Sequence, residues 1–202
     1  QWKDTGIRLE GDAVQSLTVT FLEMWNAVSE KATNDTDFSK YIIHYDYKAQ
    51  QTGFVQPYAD SPMDNEQVGE EVYISMINKA ENYCWFMTPY LIITDEMTHA
   101  LCLAAKRGVD VRIITPGFCY AKMSIVDDCM ATCGTINLDY RSLYHHFENG
   151  CFMADCQAVV EIKNDLIRTM GECRDVTDQY CTGRSAYLRL GQLFMRLFAG
   201  LL

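Results

Sequence analysis

Short apolar runs alternate with longer amphipathic segments between residues 53 and 115, and this alternation limits the possible folds more than any other feature. Three runs have the length and the aromatic or β-branched content of strands, at residues 54–58, 83–87 and 109–115. Two helices are predicted between them, at about residues 65–81 and 94–108, the second ending at cations and a glycine. The alternation predicts an α/β fold with a largely parallel sheet.

The alternation breaks after residue 115. Residues 109–114 and 122–126 both have the composition of strands, but only residues 115–121 separate them, and parallel neighbours need a crossover of a dozen or more residues. Either the two strands form a hairpin, or a helix–strand unit is missing at the junction of Thr115 and Gly117. Further elements are predicted as strands at 129–136 and 147–154 and as helices at 158–171 and 183–202.

The N-terminal part has a pattern of its own. Residues 5–10 are predicted as a short strand, and Asp12 as the N-cap of a helix at 12–29. The apolar face of that helix consists of Val14, Leu17, Phe21, Leu22, Trp25 and Val28. Residues 31–52 are polar and are predicted as a loop, which gives the best domain boundary. The expected division is residues 1–52, residues 53–182 and a C-terminal helix at 183–202.

Composition argues against several classes of protein. The 202 residues are 49% hydrophobic and 22% charged, as in ordinary globular proteins, so a disordered or collagen-like chain is excluded. A net charge of −10 argues against a general nucleic-acid-binding protein, which needs a basic surface. No run reaches the roughly eighteen apolar residues of a membrane-spanning helix. The polar N-terminus has neither a signal peptide nor an initiator Met, and we expect a piece of a longer protein.

Nine cysteines are spread along the chain without a CxxC pair, so the patterns of zinc ribbons and thioredoxin-like proteins are absent. Most of them lie in apolar runs, where a reduced cysteine behaves as a small hydrophobic residue. We therefore expect reduced, structural thiols, as in a cytoplasmic setting, rather than a disulfide framework.

The residues that indicate chemistry lie around two of the predicted strands. Lys122 and Asp127 flank the first strand, and Gly134, Thr135 and Asn137 close the second. An ammonium group, a small backbone turn and a carboxamide at strand ends would together hold a phosphate group. The spacing alone leaves a second interpretation open, in which Lys122 and Asp127 form a surface ion pair beside an ordinary turn.

This spacing resembles the HxKxxxxD…GxxN signature of the phospholipase D superfamily, in which six residues separate the Asp from the Gly, as residues 128–133 do here. Four further blocks look like bacterial cardiolipin synthase, and they are residues 4–11, 88–91, 107–114 and 134–142. The resemblance covers most of the chain. It implies an α/β phospholipase D-like lobe with a mixed sheet flanked by helices, the end of a first lobe and a linker in residues 1–52, and an internal deletion.

The resemblance also implies an active site that two lobes share, each lobe donating one motif. One His attacks the phosphate and forms a phosphohistidine, and the other His protonates the leaving alcohol. In cardiolipin synthases a phosphatidyl group moves between two phosphatidylglycerol molecules and glycerol is released, on the cytoplasmic side of the bacterial membrane. The implied partners are the anionic phospholipid, the membrane surface and the missing first lobe, with no nucleic acid, no metal and no cofactor.

Roles for individual residues follow from the same resemblance. The implied phosphate-binding residues are Lys122, Gly134, Thr135 and Asn137, and the implied catalytic residues are Tyr120, Lys122, Asp127, Asn137 and Glu148. Glu148 matches a carboxylate that orients the imidazole in the family, and a solvated glutamate at a strand end is the alternative. His145 and His146 are expected to be surface and loop residues rather than a metal-binding pair.

Three departures from the family pattern bear on activity. Tyr120 stands at the position of the motif His, and a phenol, protonated at neutral pH, is a poor base and is hard to activate as a nucleophile. The unit at the junction of Thr115 and Gly117 is missing, and so is the first motif. We therefore expect the chain alone to be inactive. The alternatives are a non-catalytic lobe that binds lipid or a partner, and a phosphodiesterase or nuclease, against which the acidic charge counts.

The C-terminal segment, residues 183–202, has apolar residues at helical spacing and only three charges, Arg184, Arg189 and Arg196. A basic amphipathic helix of this kind suits the surface of an anionic membrane. Simple packing on the sheet is the alternative.

Overall fold

A computed structural model describes residues 2–29, 36–43, 46–115, 117–181, 186–196 and 198. The helices are α1 (Ala13–Val28), α2 (Val68–Lys79), α3 (Asp95–Lys106), α4 (Tyr140–Tyr144), α5 (Gln157–Glu172), α6 (Thr177–Cys181) and α7 (Ala186–Arg196), with a 3-10 turn at Ser39–Tyr41. The strands are β1 (Phe54–Asp60), β2 (Tyr83–Met87), β3 (Leu91–Ile92), β4 (Asp110–Ile114), β5 (Met123–Val126), β6 (Met130–Gly134), β7 (Leu138–Asp139) and β8 (Glu148–Ala154).

Six strands form one sheet in the order β1-β8-β6-β5-β2-β4, and β3 pairs with β7 in a small sheet of its own. β2 and β4 run parallel and are joined by α3, whereas the other neighbouring strands of the described six-stranded sheet are antiparallel. The mixed sheet is therefore confirmed, and the expectation of a largely parallel sheet is wrong. The strand–helix–strand pattern holds for β2-α3-β4, but the later strands add by antiparallel pairing, which a parallel crossover pattern does not describe.

The position of β2 explains the short connection at residues 115–121. Both β4 and β5 pair with β2, β4 in parallel and β5 antiparallel, so they do not form the hairpin that was one of the two predicted alternatives. β4 and β5 consequently run in opposite directions on either side of one strand. Their connection passes over the end of β2, and no parallel crossover is required at this place.

Helices cover both faces of the sheet. Alternate side chains of β2 point to opposite faces, so that Cys84 and Phe86 join a core under α2 and α3, and Trp85 and Met87 join a second core under α5. Leu166 of α5 is fully buried in the second core. An all-apolar strand such as β2 suits the centre of a sheet that is covered on both sides.

The N-terminal segment departs from its predicted structure. Residues 5–10 do not form a strand; the segment is linked to the fold by a backbone bridge from Lys3 to Cys119. Ile7 and Leu9 nevertheless pack against the core under α5. The alternation of apolar residues therefore predicts correctly which side chains pack on the core. Within the described part of the chain, however, no neighbouring strand forms a hydrogen-bonded ladder with residues 5–10.

Helix α1 forms where the periodicity predicts it, but its environment is unusual. Asp12 lies at the N-cap position, as predicted, but it has a helical backbone conformation and its side chain makes no capping bond. No residue of α1 is buried, and Phe21, Trp25 and Val28 are each more than half exposed. The helix contacts β1, an edge strand of the sheet. Its apolar face therefore lies open to solvent in this lobe.

Helix α7 forms within the predicted C-terminal helix, and its apolar side is also open. Leu190, Leu193 and Phe194 are at least 60% exposed, so this stretch does not pack on the sheet. Arg184 and the side chains of Arg189 and Arg196 lie outside the described residues. In the described part of the chain, no helix is both long and apolar enough to cross a membrane. The eight cysteines with described side chains are free thiols.

Candidate active site

One cleft of about 750 Å³ gathers most of the residues that the sequence singles out. Six of the seven predicted site residues line it: Tyr120, Lys122, Gly134, Thr135, Asn137 and Glu148. Asp127 is the exception. The predicted convergence of Lys122 and Asn137 is therefore what the structure shows.

Antiparallel pairing explains why residues so far apart in the chain meet here. Lys122 directly precedes β5, Gly134 ends β6 and Glu148 begins β8, and these strands are consecutive neighbours in the sheet. The Gly134 N–H donates to the Lys122 carbonyl (3.2 Å), and the Thr135 N–H to the Asn149 carbonyl (2.8 Å). A Cβ on Gly134 would collide with the Asn149 carbonyl oxygen, so the close approach of β6 and β8 requires glycine.

Lys122 brings a positive charge into the fold. Only 6% of the residue is exposed, its Nζ donates to the Tyr120 carbonyl at 2.7 Å, and the same Nζ lies 3.4 Å from the centroid of the Tyr120 ring. Burial lowers the pKa of this ammonium, and the carboxylates of Asp4 and Glu148 act in the opposite direction. Among the described residues this ammonium has only the carbonyl and the ring as partners, so it retains donor capacity for an anion in the cleft.

Asn137 is held in place by the short helix that follows it. Its Nδ2 donates to the Ser142 Oγ at 3.1 Å, and Asp139 accepts from the Ser142 N–H at 2.8 Å as the N-cap of α4. Within the described residues, the buried Oδ1 of Asn137 has no hydrogen-bond partner. A buried carbonyl oxygen without a donor is costly, so this group is suited to bind a donor that enters the cleft, such as a substrate hydroxyl.

Glu148 is a buried carboxylate and not the solvated strand-end residue of the alternative interpretation. It is 8% exposed, and the Thr135 hydroxyl donates to its Oε2 in a short hydrogen bond. The Asn149 N–H in turn donates to the Thr135 Oγ at 3.0 Å, which fixes the hydroxyl. The other oxygen of Glu148, Oε1, lies 3.7 Å from Nδ1 of His146.

The sequence predicts His146 as a surface or loop residue, but the structure places it in the lining of the cleft. Its side chain is about half exposed and lines the same cavity as Lys122 and Asn137. Arg141, at the start of α4, also lines the cavity and was not among the predicted residues. The available signal was the position of His146 two residues before Glu148, which places an imidazole beside the carboxylate that was expected to orient one.

Asp127 lies at the opposite end of β5, outside the cleft in which the other predicted site residues meet. The four residues of β5 separate it from Lys122, a span of roughly 16 Å in an extended chain. Its carboxylate accepts from the N–H groups of Glu81 (2.6 Å), Asn82 (2.9 Å) and Tyr83 (2.8 Å). Burial alone would raise the pKa of Asp127, but these three donors outweigh it and hold the pKa below its usual value. The alternative surface pair with Lys122 is excluded by the same geometry.

Comparisons with known proteins identify relatives of this chain. A family model described as "Cardiolipin synthase, PLD-like domain" matches residues 73–120. An uncharacterized protein of Streptococcus mutans is 41% identical over the whole chain, which covers 50% of that protein. A cardiolipin synthase of Geobacillus sp. is 27% identical and cardiolipin synthase 2 of Bacillus cereus is 28% identical, again over the whole chain and over 46% and 45% of those proteins. The chain is therefore similar to proteins of the phospholipase D superfamily. These two named relatives are cardiolipin synthases, and the chain spans about half the length of the relatives it matches.

Solved structures show the same fold at low identity. NucT from Helicobacter pylori superposes with a TM-score of 0.53 at 15% identity, covering 60% of this chain and 98% of that one. Nuc from Salmonella typhimurium, a phospholipase D family member, superposes with a TM-score of 0.51 at 19% identity, covering 61% and 98%.

The relatives are also longer within the aligned region. The alignment with the Streptococcus mutans protein runs over 232 residues against the 202 of this chain, so at least 30 positions of that relative have no counterpart here. A missing helix–strand unit of the kind predicted at the junction of Thr115 and Gly117 would produce such an excess. Among the residues that the structure describes, no group of three or more His, Cys, Asp or Glu side chains could hold a metal ion.

Proposed function

We propose that this chain is the C-terminal lobe of a phosphatidyltransferase of the cardiolipin synthase type, which moves a phosphatidyl group between two phosphatidylglycerol molecules and releases glycerol. The observation that carries the proposal is the convergence of Lys122, Asn137, Glu148 and the Gly134–Thr135 turn in one cleft, in a chain whose named relatives are cardiolipin synthases. The phosphodiester of the lipid is the substrate group that this set of side chains fits.

Each cleft residue has a defined task in this proposal. The Lys122 ammonium binds the non-bridging phosphate oxygens, and its burial strengthens the attraction because little water competes with it. The side chain of Asn137, which is fixed through Ser142, binds the substrate beside the Lys122 ammonium. Glu148, held by Thr135, orients an imidazole through one ring nitrogen.

The lobe is proposed to need a partner lobe of the same type. The reaction uses two imidazoles, and the motif position that would supply one of them holds Tyr120. The open apolar face of α1, with Phe21 and Trp25, is a surface that a partner lobe would cover. The double length of the relatives supports the same arrangement.

The membrane surface is proposed as the place of action, on the cytoplasmic side of the bacterial membrane. A lipid substrate has to reach the cleft from a bilayer. The exposed Leu190, Leu193 and Phe194 of α7 support contact with the acyl boundary, and the arginines of the same helix in sequence suit anionic headgroups.

A non-catalytic lobe that binds lipid or a partner is the second candidate, and Tyr120 is the observation that favours it. A ring packed on Lys122 keeps a phosphate-binding ammonium in place without supplying a motif imidazole. In this case the cleft would bind a phosphodiester without transferring it.

The test uses labelled phosphatidylglycerol in detergent micelles. The chain alone is expected to form no cardiolipin, and Tyr120→His alone should not rescue it because the second lobe is absent. Joining the Tyr120→His chain to the N-terminal half of the Geobacillus cardiolipin synthase should yield labelled cardiolipin and glycerol, with the intact Geobacillus protein as the positive control. No product from a folded fusion would favour the binding lobe, and product from the unmodified chain alone would contradict the need for a partner.

A further inference from the structure

The cleft contains an imidazole outside the motif. His146 follows the end of α4 and lines the cavity together with Lys122 and Asn137. Its neighbour His145 is exposed, donates its backbone N–H to the Arg141 carbonyl and is not part of the cavity lining. Two adjacent histidines thus have different surroundings, and one of them faces the candidate phosphate site.

Glu148 gives this imidazole the partner that a catalytic histidine needs. Its Oε1 lies 3.7 Å from Nδ1 of His146, while its Oε2 is engaged by the Thr135 hydroxyl. A carboxylate beside Nδ1 favours the tautomer with a proton on that nitrogen, which leaves the lone pair on Nε2. The distance is longer than a hydrogen bond, as is common in active sites without substrate, where such contacts tighten on binding.

We propose that His146 is the nucleophile of this chain, attacking a phosphodiester in the cleft and taking over the task that Tyr120 does not perform at the motif position. This inference rests on the proposed function, since it requires that the cleft bind a phosphodiester. It assigns a catalytic residue that lies 26 positions after the motif position.

The proposed reaction consists of attack by His146 on phosphorus, followed by hydrolysis of the adduct. The Nε2 lone pair attacks phosphorus, a P–N bond forms, and the P–O bond to the leaving group breaks with its electron pair leaving on oxygen. The Nδ1 proton stays between His146 and Glu148, whose charge stabilises the imidazolium that forms. Water then attacks phosphorus, the P–N electron pair returns to Nε2, and the water proton passes to solvent. The products are a phosphomonoester and the departed alcohol or phenol.

The chemistry also sets the class of substrate for the chain alone. Among the described residues that line the cleft, His146 is the one imidazole, and no second imidazole protonates the leaving oxygen. Hydrolysis by the isolated lobe is therefore limited to activated phosphodiesters, whose leaving group departs as a stable anion at neutral pH. Lipid phosphodiesters, with an alkoxide leaving group, still require the partner lobe, which agrees with the expected absence of cardiolipin synthesis.

The test uses the full chain and bis(p-nitrophenyl) phosphate, and it follows the release of p-nitrophenolate. The unmodified chain should turn the ester over slowly, His146→Gln should reduce the rate at least about 100-fold, and the matched control His145→Gln should leave it unchanged. Glu148→Gln should also reduce the rate, because the imidazole loses its charged partner. No release by the unmodified chain, or unchanged release by His146→Gln, would overturn the proposal.

A second measurement does not depend on any variant folding. Rapid quenching in base, where phosphohistidine is stable, followed by peptide mass spectrometry should find the nitrophenyl phosphoryl adduct on His146 of the unmodified chain. An adduct on Tyr120 or His145 would overturn the assignment. Binding of dihexanoyl phosphatidylglycerol tests the proposed function separately from the proposed nucleophile. Binding by both the unmodified chain and His146→Gln without turnover would refute only the nucleophile, and absence of binding by the unmodified chain would refute the proposed function as well.

Discussion

Asp127 illustrates how a residue of a catalytic signature can act on the fold rather than on the substrate. The spacing of the signature places it correctly at the end of β5, but three backbone N–H groups of the α2–β2 turn occupy its carboxylate. Its own backbone has φ of +49°, a left-handed conformation that Asp tolerates better than most residues. The signature therefore includes one residue that fixes the far end of the strand on which Lys122 is placed.

Replacing Asp127 should lower stability without affecting the cleft directly. Asp127→Ala leaves three N–H groups without their acceptor, and we expect a loss of about 1–2 kcal/mol in the free energy of unfolding. Urea denaturation measures it, with Asp12→Ala as the control because Asp12 makes no capping bond. The pKa of Asp127 is lowered in the folded state, so its contribution is present above the unfolded value of about 4 and is lost as the pH falls through the folded value. An equal loss for both variants, or an unchanged acid dependence in Asp127→Asn, would contradict this account.

The helices and the strands differ in how far the sequence predicts them. α2, α3 and α5 lie close to their predicted ranges, because amphipathic spacing and helix-end residues such as Thr94 act locally. The order of strands was not predictable in the same way. A buried, mostly apolar strand such as β5 suits the middle of a sheet beside parallel or antiparallel neighbours. Its antiparallel pairing with β2 and β6 is set by contacts distant in sequence.

Helix α7 is predicted to bind the surface of an anionic membrane. If its exposed apolar side enters a bilayer, the chain should float with phosphatidylglycerol vesicles, and each nearby arginine should contribute about 1 kcal/mol. Raising salt from 0.1 M to 1 M shortens the screening length from about 10 Å to 3 Å and should weaken binding. A chain ending at residue 182 should lose flotation while keeping its thermal unfolding transition. Unchanged flotation of this folded truncation would exclude α7 as the anchor, and Leu190→Gln with Phe194→Gln should reproduce the loss in the full-length chain.

At the scale of the whole molecule, the signature spacing predicted the cleft better than the strand pattern predicted the sheet. Lys122, Gly134 and Glu148 are separated by 12 to 26 residues, yet they meet because their strands are neighbours with aligned ends. The position of His146 two residues before Glu148 is a sequence signal, but whether its side chain enters the cleft depends on the direction of the loop between α4 and β8, which local sequence does not encode. The open faces of α1 and α7 likewise emerge only once the rest of the chain is folded around its two cores.

Phosphodiester binding in the cleft through Lys122 can be measured directly. Calorimetric titration with dihexanoyl phosphatidylglycerol, kept below its micellar concentration, should give saturable binding to the unmodified chain. Lys122→Met should weaken the affinity about ten-fold or more, because a charge-assisted hydrogen bond to phosphate is lost. Lys106→Met, which removes a lysine at the exposed end of α3, serves as the matched control and should bind like the unmodified chain. Equal affinity in all three folded proteins, or no binding to any of them, would contradict the account.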